Sequence, residues 1–178
     1  ADKDNYDNDQ TTAQTNGTYR KYKINLTRNQ MLSETVSLQG SYQYQTASKN
    51  LDGGEEISLG GAYGVRAYPT SEASGDKGWL ANVELKWAAT NELTPSIFYD
   101  YGKITTNIDQ WAGADNTTSK LGGYGVGINW AADKNINIKA QASRRTTESY
   151  KGDLTTEMNS DGTNPADTRY WFSATWFF

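Results

Sequence analysis

The sequence predicts an all-β protein, an antiparallel transmembrane β-barrel, on three observations. From Thr18 onward, segment after segment alternates apolar and polar residues with a period of two, the pattern of strands that separate two unlike media. Tyrosines and tryptophans, 12 and 6 among 178 residues, recur on the apolar parity and at strand ends, where barrels carry interfacial girdles. Long and short connections also alternate down the chain, as they do in outer-membrane barrels with short periplasmic turns and long extracellular loops.

The bulk numbers agree with this and exclude several other classes. A mean hydropathy of −0.82 and a hydrophobic fraction of 35% leave no stretch near the ~20 apolar residues of a membrane helix. That says nothing against a barrel, whose strands are only half apolar. The absence of Cys and His removes disulfides, thiol chemistry, and the commonest metal ligand and general base. With no GxxxxGKS/T phosphate loop either, no enzyme, cofactor or metal is expected. A net charge of −4 with dispersed lysines and arginines gives no nucleic-acid footprint.

Taken in order, Ala1 to Gly17 is polar and aperiodic, and reads as a flexible extracellular loop remnant. Tyr22, Ile24 and Leu26 alternate with Lys21, Lys23, Asn25 and Thr27 in a first strand. A short connection near Asn29 to Ser33 leads to a second, with Val36, Leu38, Gly40, Tyr42 and Tyr44 against Ser37, Gln39, Ser41, Gln43 and Gln45. Glutamine and serine on one face suit a wet interior; tyrosine and aliphatics on the other suit lipid. Trp79, Ala81, Val83, Leu85 and Trp87 form the apolar face of a third strand, a tryptophan at each end. After a turn at Ala88 to Glu92, Leu93, Pro95, Ile97, Tyr99 and Tyr101 point outward, with Ser96, Phe98, Asp100 and Gly102 inward. A polar connection from Lys103 to about Ser119 precedes Tyr124, Val126, Ile128 and Trp130, interleaved with Gly123, Gly125, Gly127 and Asn129. Ala131 to Lys134 is a tight turn before Ile136, Ile138, Ala140 and Ala142. A last long loop, Glu148 to Thr168, gives way to Tyr170, Phe172, Ala174, Trp176 and Phe178.

Between the second and third strands, Ser58 to Trp79 is too long and glycine-rich for an ordinary turn, and its Pro69 interrupts any strand. Counting it as loop gives seven membrane strands and preserves the alternation of connection lengths. Counting Glu56 to Arg66 as an eighth strand closes a small self-contained barrel, with a structural or adhesive role. Seven strands do not close alone, so the seven-strand reading makes the chain the C-terminal part of a larger barrel. A soluble sandwich or lipocalin-like barrel shares the same periodicity with its faces reversed; the aromatic ends and the terminal Trp176-Phe177-Phe178 favour the membrane.

Ser58-Leu59-Gly60-Gly61, then Val65-Arg66-Ala67-Tyr68, then Gly75-Asp76-x-Gly78, resembles the TpsB transporters of two-partner secretion. These belong to a superfamily of outer-membrane barrels that also contains the BAM assembly protein and the chloroplast import channel. Phe98-x-Asp100-x-Gly102 resembles the superfamily's Phe-x-Asp-x-Gly motif and falls on the second strand after the loop, as it does there. The superfamily's loop motif is Val-Arg-Gly-Phe/Tyr, and Ala67 departs from it. The aromatics Tyr170, Phe172, Trp176 and Phe178 resemble the terminal signal such barrels present to their assembly machinery.

The resemblance covers Thr18 to Phe178. It implies a bacterial outer-membrane pore, a sixteen-stranded complete barrel, and missing N-terminal strands and POTRA domains. It also implies a secreted exoprotein of the TpsA type as client; within the superfamily, barrel assembly is the alternative role. It further implies that residues 50–77 fold into the pore, with Arg66 contacting acidic groups on the wall. Asp100 and Glu84 fall on the lumenal parity and are the candidates. The residues alone leave other readings open. Arg66 can be a solvated loop charge and the two acids ordinary lumenal carboxylates. Gly102, on the same face as Asp100, leaves room for the loop backbone; Gly123, Gly125 and Gly127 can do likewise or can only mark strand curvature, and Arg144 and Arg145 can be rim charges.

Overall fold

In a computed structural model, residues 3–112, 118–146, 159–164 and 167–178 are described. Seven strands form one antiparallel sheet: β1 (Lys21–Met31), β2 (Val36–Ala47), β5 (Lys77–Trp87), β6 (Leu93–Thr105), β7 (Thr118–Asp133), β8 (Ile136–Arg145) and β9 (Arg169–Trp176). Neighbours in sequence are neighbours in the sheet, with order β1-β2-β5-β6-β7-β8-β9. The two missing numbers, β3 (Ile57–Ser58) and β4 (Ser74–Gly75), make a two-residue ladder inside the long loop. That loop therefore contributes no membrane strand, and Glu56 to Arg66 is not an eighth one. The sheet is an open arc whose edges, β1 and β9, do not pair with each other among the described residues.

The strand ends differ in detail from the expectation. β6 runs on to Thr105 and β7 begins at Thr118, so the polar connection between them is shorter than Lys103 to Ser119. Ala131 to Lys134 is not wholly turn: β7 continues to Asp133 through a register shift at Ala131/Asp133. The loop expected over Glu148 to Thr168 lies largely outside the described residues. At the start of the chain, α1 (Lys3–Thr11) replaces the structureless segment expected. Its end is held by Asp9, whose carboxylate accepts hydrogen bonds from the Thr15 amide (2.8 Å), the Thr15 hydroxyl (2.8 Å) and the Asn16 amide (3.1 Å). An acid that satisfies free turn amides in this way organises a polar stretch that no hydrophobic period announces.

The period-two alternation becomes two unlike faces. Tyr22, Ile24, Val83, Ile97, Tyr99, Tyr124, Val126, Tyr170 and Phe172 are exposed on the outside. A continuous belt of this kind is not a soluble surface; it needs hydrocarbon. Trp79 stacks on Tyr42 and lies tilted against Tyr101 near the long-loop rim (centroids 6.1 and 5.7 Å), while Trp87, Trp130 and Trp176 lie exposed near the short-turn rim. Trp79 and Trp87 are eight residues apart, about 26 Å along a strand, which matches an apolar band about 25 Å tall.

The dry core lies inside the arc, not between sheets. Ile57, Leu59, Val65, Ala67 and Tyr68 of the loop pack on Leu80, Ile104 and Leu121, which occupy inward positions of β5, β6 and β7. Leu80, Gly102 and Leu121 stand in one cross-strand row, and Leu59 settles where Gly102 lacks a side chain: a Cβ there would lie 2.8 Å from Leu59 Cδ2. Burying Leu59 fully is worth about 1.5–3 kcal/mol.

The outer belt is tested by placing a charge at its middle. Val83, midway between Trp79 and Trp87 and 48% exposed, is expected to lose about 2–4 kcal/mol on Val83→Arg. Gln43→Arg, on the lumenal face, is expected to cost little. Urea unfolding in lipid vesicles measures both; equal effects would contradict the assignment of faces.

Candidate functional site: a charged latch inside the barrel

The loop reaches the lumen through a tight tip. The Gly64 amide donates to Gly61 O (3.0 Å) and the Val65 amide to Leu59 O (2.7 Å). Gly61 has φ +117°, a conformation that side chains resist. A Cβ on Gly64 would lie 2.0 Å from the Leu59 carbonyl oxygen, so only glycine fits. This turn delivers Arg66 to the wall with its backbone and side chain aimed the same way.

Asp100, on the inner face of β6, receives three bonds from Arg66: the backbone amide (3.0 Å) and Nε (2.9 Å) to Oδ2, and Nη2 (2.8 Å) to Oδ1. The remaining guanidinium nitrogen, Nη1, donates to Glu84 Oε2 on β5 at 2.9 Å. Both candidate carboxylates thus engage the arginine. The side chains of Arg66, Asp100 and Glu84 are 5%, 0% and 13% exposed. At that burial an unpaired charge is expensive, and a two-oxygen fork from aspartate is the geometry that guanidinium matches best. Phe98 completes the grip, its ring centroid 3.3 Å from Arg66 Cζ.

Three further residues of the latch, Asn82, Ser143 and Trp171, carry roles that the sequence reading does not include. Asn82 donates to Asp100 Oδ1 and to Gly64 O, both at 2.9 Å, and accepts from the Ser41 hydroxyl at 3.1 Å. The Arg66 carbonyl accepts from Ser143 Oγ and Trp171 Nε1, both at 2.7 Å. Asn82 did carry a signal, since it stands opposite Asp100 in the ladder and on the same inward face. So did Trp171, an indole on the polar parity of β9.

The glycines of β7 make room, each for a different group. A Cβ on Gly123 would lie 2.5 Å from Ala67 Cβ, and one on Gly125 would lie 2.5 Å from Phe98 Cζ; at Gly127 the neighbour is Ser96 Oγ at 2.7 Å. Gly123 therefore seats the loop, Gly125 seats the ring under the guanidinium, and Gly127 has no part in the latch. Ala67, where the superfamily has glycine, has no positive φ, and Gly123 supplies the space for its methyl. Gly102 accommodates the Leu59 side chain, not the loop backbone as expected. Arg145 is not a simple rim charge: its Cζ lies 4.3 Å from the Tyr68 ring centroid. Arg144 is, donating from Nε to Thr168 Oγ1 at 2.8 Å on an exposed edge.

At the long-loop rim a second set of buried polar groups ties the connections together. Asp76 accepts from the amides of Leu51 (2.8 Å) and Ile108 (3.0 Å). Burial pushes its carboxyl above the usual carboxylate range, against the opposing pull of those two amides. The Asn50 amide group donates to Ala13 O (3.0 Å) and Asp109 O (2.8 Å). Glu72 accepts from the Ser160 amide and hydroxyl (3.0 and 2.5 Å), joining the loop to the β8–β9 connection.

An apolar outer belt, a polar inner wall and a loop latched across that wall define a transmembrane β-barrel with an internal loop. The sequence model of the haemolysin secretion/activation proteins ShlB/FhaC/HecB matches residues 2–130, and the chain belongs to that family, the TpsB transporters. It is an outer-membrane chain. Heme/hemopexin transporter proteins HuxB from strains of Haemophilus influenzae are 30% identical over 116 and over 136 residues, 62% and 65% of this chain. The chain spans 20% and 24% of their lengths. Among solved structures, CdiB from Acinetobacter baumannii superposes with a TM-score of 0.61 at 15% identity, covering 89% of this chain and 27% of that one; the likeness is one of fold. The aromatics Tyr170, Phe172, Trp176 and Phe178 all lie exposed on β9 or just beyond it.

The unequal bonding predicts unequal mutations. Asp100→Asn leaves the guanidinium and the Arg66 amide poorly paired and is expected to weaken loop docking by about 3–5 kcal/mol. Glu84→Gln, which removes one bond at a more exposed position, is expected to cost about 1 kcal/mol. Protease accessibility of the loop under graded urea measures both.

Proposed function

We propose that this chain forms the C-terminal wall of a two-partner secretion pore, through which an unfolded exoprotein of the TpsA type passes from the periplasm to the cell exterior. The observation that carries this reading is the loop latched inside a polar-walled barrel by Arg66, Asp100 and Glu84. A loop held by charge-assisted bonds and a modest apolar patch is a plug that can be released without dismantling the sheet. Family membership favours secretion over barrel assembly. The open arc of seven strands favours a share in a larger barrel over a small closed one. POTRA domains and the remaining strands of the same protein would complete it, and the barrel assembly machinery would receive the terminal aromatic strand.

In this reading the chain does no chemistry and binds no cofactor. The work of transport comes from the client folding outside, while the wall offers a wet path of glutamine, serine and asparagine side chains. Arg66 acts as the gate's catch. Arg66→Ala and Asp100→Ala in the full-length protein are expected to lower secretion about tenfold, because a loop without its place on the wall strays across the pore, while the folded barrel accumulates normally. Secretion into the medium and the heat-modifiable band on gels read the two quantities separately. Normal secretion by both variants would contradict the catch.

A further inference from the structure

Beside the latch stand two lumenal lysines that no carboxylate contacts within ion-pair distance among the described residues. Lys86 on β5 and Lys139 on β8 both have inward parity, and both lie on the short-turn side of Arg66: Lys86 stands next to Trp87 at the strand end, and Lys139 is three residues into β8. They line the same two recesses in the wall, of about 170 and 240 Å³. Glu84 lines both recesses too, but it is engaged by Arg66 at 2.9 Å. Lys86 donates to the neutral amide oxygen of Gln39. Lys139 is half-buried and has no hydrogen-bond or ion-pair partner among the described residues. The loop tip closes over the first recess through Ala62 and Tyr63, the latter 90% exposed.

Around the latch, Arg66, Lys86 and Lys139 carry three positive charges against two negative ones on Asp100 and Glu84. An ammonium partly shielded from water with no carboxylate in contact is a site for an anion. Two of them lining one recess suit a carboxylate. We propose that Lys86 and Lys139 form a docking site for carboxylate side chains of the polypeptide in transit, placed on the periplasmic side of the latch and against the tip of the loop. This rests on the secretion reading and gives it a recognition step. An acidic stretch of client entering from the periplasm meets this pair before it meets the gate, and its carboxylate sits beside the tip that must move. Because Glu84 borders the same recess, a bound carboxylate also competes with it for the local cations, which couples arrival of the client to release of the catch.

The experiment uses the full-length transporter in detergent, a fluorescein-labelled hexaglutamate peptide as probe, and fluorescence anisotropy as readout. Lys86→Gln/Lys139→Gln is expected to weaken binding about tenfold, the size of two half-shielded charge contacts. Lys103→Gln, an exposed position of outward parity on β6, is expected to leave it unchanged. Raised salt should weaken wild-type binding, and hexalysine should not compete. Absence of wild-type binding, equal binding by the double variant, or equal competition by hexalysine would each overturn the site. Client secretion is measured on the same proteins. A wild type that secretes but binds no peptide loses the docking site and keeps the transport reading. One that binds through the two lysines but secretes nothing loses the transport reading and keeps the site.

Discussion

A guanidinium withdrawn from water inside a barrel constrains everything around it. Arg66 gives its side chain to Asp100 and Glu84, its amide to Asp100, and its carbonyl to Ser143 and Trp171. Its cation lies on Phe98, and its neighbour Ala67 is seated by Gly123. One dipeptide therefore touches β5, β6, β7, β8 and β9. Arginine cannot give up its proton, so this position has no neutral form to fall back on. It is either fully paired against the wall or hydrated away from it, which makes the contact two-state in character.

That arrangement resolves a conflict built into a wet pore. A lumen lined largely by glutamine, asparagine, serine and glycine offers little apolar surface, and so gives the barrel no core of its own. The strands are held by their ladders and by lipid outside. The loop supplies the missing interior locally: a small dry cluster on Leu80, Ile104 and Leu121, with the charged latch beside it. Because the apolar part is small, the charges decide where the loop rests. Because they are charges, the resting place can be contested by other ions.

The strands were legible because lipid on one side and water on the other impose the strictest period-two pattern a chain can carry. The loop was legible for the opposite reason, as the one long stretch without that period, and Arg66, Asp100 and Glu84 followed from motif and parity. Less visible were the residues that serve the backbone of the loop. Ser143 is an ordinary lumenal serine until the Arg66 carbonyl arrives, and nothing in the sequence says where that carbonyl will be. The β7 glycines read as a group, yet Gly123, Gly125 and Gly127 face three unlike neighbours. That distinction exists only once β6 and β7 are in register. The helix at Lys3–Thr11 escaped because its order comes from Asp9 and local amides, with no apolar stripe to announce it.

The central claim concerns one backbone amide as much as one side chain, and amide hydrogen exchange at Arg66 in the bilayer-embedded full-length protein tests it most directly. With the amide buried against Asp100 Oδ2, exchange should be as slow as for the amides of β6, far slower than at Tyr63 on the loop tip. An Arg66 amide that exchanges as fast as Tyr63 would mean that the loop does not rest on the wall.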